Sequence, residues 1–238
     1  GETLAIVEEH WSYATRSTAA PILPLKWLGP KAPKVLGLVG IGTMGVNALR
    51  CLRTMYDFEE IVCTSRRKET REAFAEKWSS ALDIPVIPLD TVEEVVRRSD
   101  IGIGGTTLGD IVAREDWVKP GATYVSLARR EMDPAGWARF DKVVIDDWGV
   151  NMLTSEFSAM IAAGQFSREA LHGEICDVVT GRVTGRESED ERILVHTTGL
   201  VSQDIAVCHH IYQQAKKAGR GIRLPASGTG GPSPDISS

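Results

Sequence analysis

The segment VLGLVGIGTMG, Val35 to Gly45, runs straight into VNALRCLRTMY. An apolar run, three glycines and then apolar residues at helical spacing read as a strand, a tight turn and a helix. GxGxxG alone is weak evidence, but strand, glycines, helix and a second apolar strand in that order form a mononucleotide-binding unit. Gly40 then permits the turn, Gly42 lets the backbone approach a pyrophosphate, and Gly45 allows the helix to pack closely. Thr43 and Met44 open that helix, where free amide donors would meet the phosphate. The competing reading is a purely structural strand-to-helix corner.

Outward from this segment, apolar runs alternate with charged amphipathic stretches. Strands are expected at Val35–Val39, Glu60–Thr64, Pro85–Pro88, Ile101–Gly104, Thr123–Ser126 and Lys142–Ile145, with VNALRCLRTM, KETREAFAEKWSSA and TVEEVVRRS as helices between them. The alternation predicts an α/β fold, a Rossmann-type doubly wound parallel sheet whose ligand crevice lies beyond the carboxyl ends of the strands. SEFSAMIAAGQFSREAL carries a helix ending near Gly164, and VSQDIAVCHHIYQQAKKAG a long amphipathic helix capped by Gly219. Before the sheet, Leu4–Val7 reads as a short strand, and Tyr13–Leu25 as helical sequence interrupted by Pro21 and Pro24. The expected division is a nucleotide-binding domain at 31–195, separate flanking pieces at 1–30 and 196–225, and a flexible, breaker-rich tail at 226–238.

The strand exits suggest the ligand. An acid at the end of the second strand holds the ribose of NAD in such folds, but here the chain reads Thr64-Ser65-Arg66-Arg67-Lys68. Neutral Ser65 removes repulsion toward a 2′-phosphate, and Arg66 and Arg67 can supply charge-assisted bonds to it. NADPH is favoured and NADH possible; the bland alternative is a solvated basic turn. Thr106 and Thr107 beyond the fourth strand, and Ser126 and Leu127 at the fifth, are placed to hold ribose or nicotinamide. A plain strand-to-turn role competes for each hydroxyl.

With 42% hydrophobic and 25% charged residues the chain is globular, and it has no apolar run long enough to cross a bilayer. A net charge of −5 and dispersed basic groups argue against a nucleic-acid partner. Cys51, Cys63, Cys176 and Cys208 lack CxxC spacing and read as buried thiols in a reducing, cytoplasmic setting. His209 and His210, being adjacent, point in different directions on a helix and make no metal site. The charge run Arg186–Arg192 reads as a solvated turn.

Taken together, GETLAIVE followed by ATRSTAA, GIGTMG, EDWVKPGATYVSLARREMDP, VVIDD, HGEICDVVTGRVTGR and ILVHTTGLVSQDIAV resemble the ornithine cyclodeaminase and mu-crystallin family, from Gly1 to about Leu224. The resemblance implies an NAD(P)-binding Rossmann domain, a second α/β substrate and dimerisation domain that holds an amino or imino acid and of which 1–30 and 196–225 are a remnant, and a homodimer. It implies that Arg16 reaches the cofactor phosphates, with a surface helix charge as the alternative, and that Thr197 and Thr198 lie near nicotinamide and substrate. In that family the residues gripping the substrate carboxylate precede the GETLAIVE-like strand; they are expected from a truncated or unresolved portion of the chain, or from a complementing chain. The family's cyclodeaminases carry an aspartate in a glycine-rich loop at the fifth-strand exit. Here SLARRE, Ser126 to Glu131, is shorter and has no aspartate, although Arg130 and Glu131 match the basic and acidic ending.

Reducing an iminium carbon depends more on orientation than on a strong acid. The departure therefore favours an NAD(P)H-dependent oxidoreductase that reduces a small imino acid, or dehydrogenates the amino acid in reverse, by hydride transfer at nicotinamide C4. Ornithine cyclodeaminase-type cyclisation and a catalytically reduced nucleotide-binding or crystallin-like subunit are the alternatives. Arg130, His196 and Thr198 are expected near the substrate, and no residue is assigned as catalytic. Asp146 and Asp147 follow the sixth strand but equally cap a turn. His196 can exchange protons near neutral pH but equally packs into an interface.

Overall fold

The computed structural model describes residues 3–106, 112–127 and 131–222. Among them the strands β1 (Val35–Val39), β2 (Glu60–Thr64), β3 (Val86–Pro88), β4 (Ile101–Gly104), β5 (Thr123–Ser126), β6 (Lys142–Ile145), β7 (Gly173–Glu174) and β8 (Ile193–His196) form one sheet. All pairs are parallel, in the order β3-β2-β1-β4-β5-β8-β6-β7. The helices are α1 (His10–Ile22), α2 (Leu25–Leu28), α3 (Thr43–Leu52), α4 (Lys68–Leu82), α5 (Val92–Arg98), α6 (Trp148–Asn151), α7 (Ser155–Ala162), α8 (Ile175–Val179) and α9 (Val201–Lys217).

Side chains alternate across each strand, so one sheet serves two cores. Leu36, Leu38, Ile61, Cys63, Ile101 and Ile103 pack under α1, α3 and α4, whereas Val39, Val62, Tyr124, Ile145 and Leu194 pack against α5, α7 and the 3-10 segment Pro134–Arg139. This is the doubly wound arrangement expected from the alternation of strands and helices.

Two strands are additional to the six read from sequence. β7 has two residues, and β8 has four, three apolar residues followed by His196, too short to display a period. β8 inserts between β5 and β6, which pairs His196 with Ser126 on one side and Ile145 on the other.

Leu4–Val7 is not a strand. It has no β partner among the described residues, and Leu4 and Ile6 are 67% and 83% exposed; a strand is held by ladder bonds that this segment does not make. Pro21 does not interrupt α1 but lies one residue before its end at Ile22, and Pro24 caps α2, where its missing amide breaks no helical bond. The charge run is no simple solvated turn either. Buried Lys142 pairs with Glu187 at 2.7 Å and Glu191 at 3.1 Å, while Arg186 donates to Leu28 O at 3.1 Å and Thr123 Oγ1 at 2.8 Å. Of the four thiols only Cys63 is buried, and Cys176 is exposed.

Candidate functional site

The carboxyl ends of β1, β4, β5, β8 and β6 lie side by side, and the loops leaving them line a crevice. At β1, Gly40 takes φ +95°, a conformation L side chains rarely adopt, and its amide donates to Thr64 O at 3.2 Å. A Cβ on Gly40 would sit 2.7 Å from Gly105 O, and one on Gly45 would collide with Gly40 O. The turn is clamped between β2, β4 and its own helix. Gly42 differs: a Cβ there would meet nothing within 4 Å.

Gly42 also caps α3 without a side-chain hydrogen bond, leaving the first amides of that helix uncapped beside exposed Thr43 and half-buried Met44. At the β4 exit, Thr106 Oγ1 is buried with no hydrogen-bond partner among the described residues. An open glycine cradle, uncapped amides and an orphaned hydroxyl fit the phosphates and ribose of a dinucleotide. Leu127 N donates to Gly104 O at 2.8 Å, and Leu127 and Met44 flank Gly105.

At the β2 exit, Ser65 is half-buried and its hydroxyl donates to Arg67 O at 3.1 Å. Arg66 and Arg67 are exposed, and neither makes an ion pair among the described residues. Arg71 holds this turn from within: it is 9% exposed, donates to Ser65 O at 3.2 Å and pairs with Asp90. Within the charged helix sequence it had no mark that set it apart from a surface residue.

Beyond β5, β8 and β6 lies a narrow pocket lined by Glu131, Trp137, Phe157, Met160, His196 and Thr198, among others. His196 Nδ1 lies 3.3 Å from Ser126 Oγ, and its ring meets Trp137 edge to face with centroids 4.9 Å apart. Burial pushes its pKa down to about 4, against the opposing pull of Asp146. At that pKa the ring is neutral at neutral pH, which agrees with the packed one of the two readings of His196. Glu131, 1% exposed, accepts the Thr106 amide and lies 3.5 Å from Ser126 Oγ. Burial, with the Glu131 charge adding to it, raises the Tyr124 hydroxyl well above its ordinary pKa. Gly104 makes room for this pair, since a Cβ there would lie 2.5 Å from both Glu131 Oε2 and Tyr124 OH.

Asp146 is a strut. Its carboxylate accepts from Thr198 N at 2.8 Å, Gly199 N at 2.6 Å and Asn151 Nδ2 at 2.7 Å, while Asp147 caps α6 by accepting from Val150 N at 2.7 Å. Thr197 is buried and its amide donates to Ser126 O at 3.3 Å. Arg16 reaches the same loop from α1: its Nη1 would lie 3.2 Å from a Cβ on Gly199, and its Nε lies 2.7 Å from Asp204 Oδ1 on α9. Arg16 is thus no free surface charge. Thr107 and Arg130 lie outside the described residues.

Residues 1–219 match the model of the ornithine cyclodeaminase/mu-crystallin family. The chain belongs to that family. Ornithine cyclodeaminase/mu-crystallin relatives include the N-((2S)-2-amino-2-carboxyethyl)-L-glutamate dehydrogenase of Staphylococcus aureus, 29% identical over 224 residues that cover 93% of this chain and 67% of that protein. Among solved structures, the Delta(1)-pyrroline-2-carboxylate reductase of Thermococcus litoralis in complex with NADH and L-proline superposes with a TM-score of 0.84 at 25% identity, covering 93% of this chain and 70% of that one. An archaeal alanine dehydrogenase dimer with bound NAD gives a TM-score of 0.81 at 26% identity, covering 91% and 68%.

Proposed function

We propose that the chain is an NAD(P)H-dependent oxidoreductase that reduces a small imino acid, or dehydrogenates the corresponding amino acid in reverse. The observation that carries this reading is the adjacency, at one sheet edge, of the Gly40–Gly45 cradle and the pocket of Glu131, His196 and Thr198. Family relatives named as reductases and dehydrogenases support it. A bound nicotinamide cofactor supplies or accepts the hydride. Gly40, Gly42, Thr43, Met44 and Gly45 hold its pyrophosphate, with Arg16 at the far side of the crevice. Thr106, Ser126, Leu127 and Thr197 line the ribose and nicotinamide, and His196 and Thr198 stand nearest the substrate; Thr107, assigned to the cofactor, and Arg130, assigned to the substrate, lie outside the described residues.

NADPH is preferred to NADH in this reading, because Ser65 carries no charge and Arg66 and Arg67 stand exposed at the start of α4. Residues 31–195 form the nucleotide-binding domain, and α1 and α9, which pack on each other, belong to the substrate and dimerisation part of a homodimer. No helix among the described residues is long and apolar enough to cross a membrane; the reading places the protein in the cytoplasm, without a nucleic-acid partner.

Titration of the purified chain with NADPH and NADH at one salt concentration tests the reading, followed by turnover of pyrroline-2-carboxylate and of pyruvate with ammonium. NADPH-selective binding with reduction of either substrate upholds it. Binding of neither nucleotide overturns it.

A further inference from the structure

Arg71 bridges two strand exits. From α4 its Nη1 donates to Ser65 O at 3.2 Å, just past β2, and its Nη2 pairs with the Asp90 carboxylate just past β3. The Arg71 side chain is only 10% exposed, whereas that of Asp90 is 81% exposed. A pair with so open an acid adds little to stability; its consequence is geometric. The backbone on either side of Asp90 is fixed, since Leu89 N donates to Cys63 O at 2.8 Å and Thr91 caps α5 by accepting from Glu94 N at 3.2 Å. The planar guanidinium carries that fixed position across to the Ser65 carbonyl. Along the end of β2, Cys63 O accepts from Leu89 N, Thr64 O from Gly40 N, and Ser65 O, the carbonyl that leads into Arg66, from Arg71.

We propose, resting on the NADPH reading above, that Arg71 is a positioning residue for cofactor choice. Anchored by Asp90, it fixes the Ser65–Arg67 turn, so that the Arg66 and Arg67 side chains set out toward the 2′-phosphate from one backbone geometry. Those two arginines are exposed and make no ion pair among the described residues, so holding a phosphate requires the turn and both side chains to be ordered. A turn ordered before the ligand arrives removes part of that cost. The gain falls to the nucleotide that has a 2′-phosphate to hold. NADH lacks the group, depends on the Gly40–Gly45 cradle, and gains little from the turn.

Titration of the full chain and its variants with NADPH and NADH, together with 15N relaxation order parameters of the Ser65–Lys68 amides in the free proteins, separates positioning from mere stabilisation. Arg71→Lys keeps the charge, but an ammonium cannot span both acceptors as the fork does. NADPH affinity is expected to fall about fivefold or more, the value of one hydrogen bond, with NADH within about twofold and the turn amides less ordered. Asp90→Ala is expected to do the same. Asp90→Asn, which keeps an oxygen for Nη2, is expected to retain both selectivity and order. A folded Arg71→Lys protein with wild-type selectivity, or one that loses both nucleotides equally, overturns the proposal. Wild-type selectivity in Asp90→Ala, or equal loss in Asp90→Asn and Asp90→Ala, overturns the anchoring role of Asp90. If Arg71→Lys does not fold, Asp90→Ala decides in its place, because its side chain lies in solvent, and unchanged selectivity there overturns the proposal. Failure of the NADPH reading looks different, as a wild type that binds NADPH no better than NADH. That result overturns the role in cofactor choice; lower order in Arg71→Lys still upholds the hold on the turn, and unchanged order overturns that too.

Discussion

Asp146 holds the amide of Gly199 at 2.6 Å, across 53 residues of chain. With Thr198 N, Asn151 Nδ2 and Asp147 N also donating to it, both carboxylate oxygens of a residue only 3% exposed are surrounded by donors. Asp146→Asn puts an NH2 group against N–H donors whichever way the amide turns. The expected loss is about 2–4 kcal/mol, as for a broken buried charged set, read from urea denaturation. A loss below about 0.5 kcal/mol would show that the carboxylate does not hold the loop.

The glycines of the cradle separate folding from binding. Gly45→Ala drives a methyl into Gly40 O, and about 1–3 kcal/mol of stability should go with it. Gly42→Ala meets only open space at an ordinary φ of −73°, so stability should stay within about 1 kcal/mol while nucleotide affinity falls about tenfold or more. Thermal unfolding and nucleotide titration of both variants check this. Equal loss of stability in the two would mean that Gly42 is structural.

Arg66→Ala and Arg67→Ala should each weaken NADPH about tenfold, the value of one charge-assisted bond, and leave NADH within about twofold. Raising the salt concentration should narrow the wild-type preference, because the side chains are exposed. Unchanged NADPH affinity in both variants would place the discrimination elsewhere.

His196 makes stability depend on pH. Its folded pKa, pushed down to about 4 from 6.5, means that the unfolded chain takes up this proton first. Above 6.5 both states are neutral at this site. As pH falls from 6.5 toward 4 the unfolded state is favoured, by on the order of 3 kcal/mol once both are charged. Carboxylates held low, such as Asp100 and Asp177, add their own acid loss, so the informative quantity is the difference between wild type and His196→Gln. Denaturation at several pH values should give a shallower slope for the variant between pH 6.5 and 4. Parallel slopes would mean that the imidazole titrates freely in the folded protein.

The strand, glycine turn and helix from Val35 to Leu52 were legible because their determinants are neighbours in the chain: a continuous apolar run, a turn that needs positive φ at Gly40, and helical spacing after Gly45. The same holds for the basic turn at Ser65–Arg67 and for the Gly164 and Gly219 helix ends, both at positive φ. Leu4–Val7 shows the limit of that logic, since an apolar run becomes a strand only when a partner takes its backbone bonds.

By itself, then, the sequence determined the parallel α/β layering and the location of the glycine turn, since both follow from patterns carried by contiguous residues. Tertiary structure alone decided that β8 slips between β5 and β6. That insertion sets His196 against Ser126, 70 residues away, brings Glu131 behind them, and hands the Thr198–Gly199 turn to Asp146. The physical reason is that strand order and burial are chosen by the whole sheet: a four-residue strand such as Ile193–His196 could pair with many parallel neighbours, and only the completed core determines which two it joins and which polar groups it buries there.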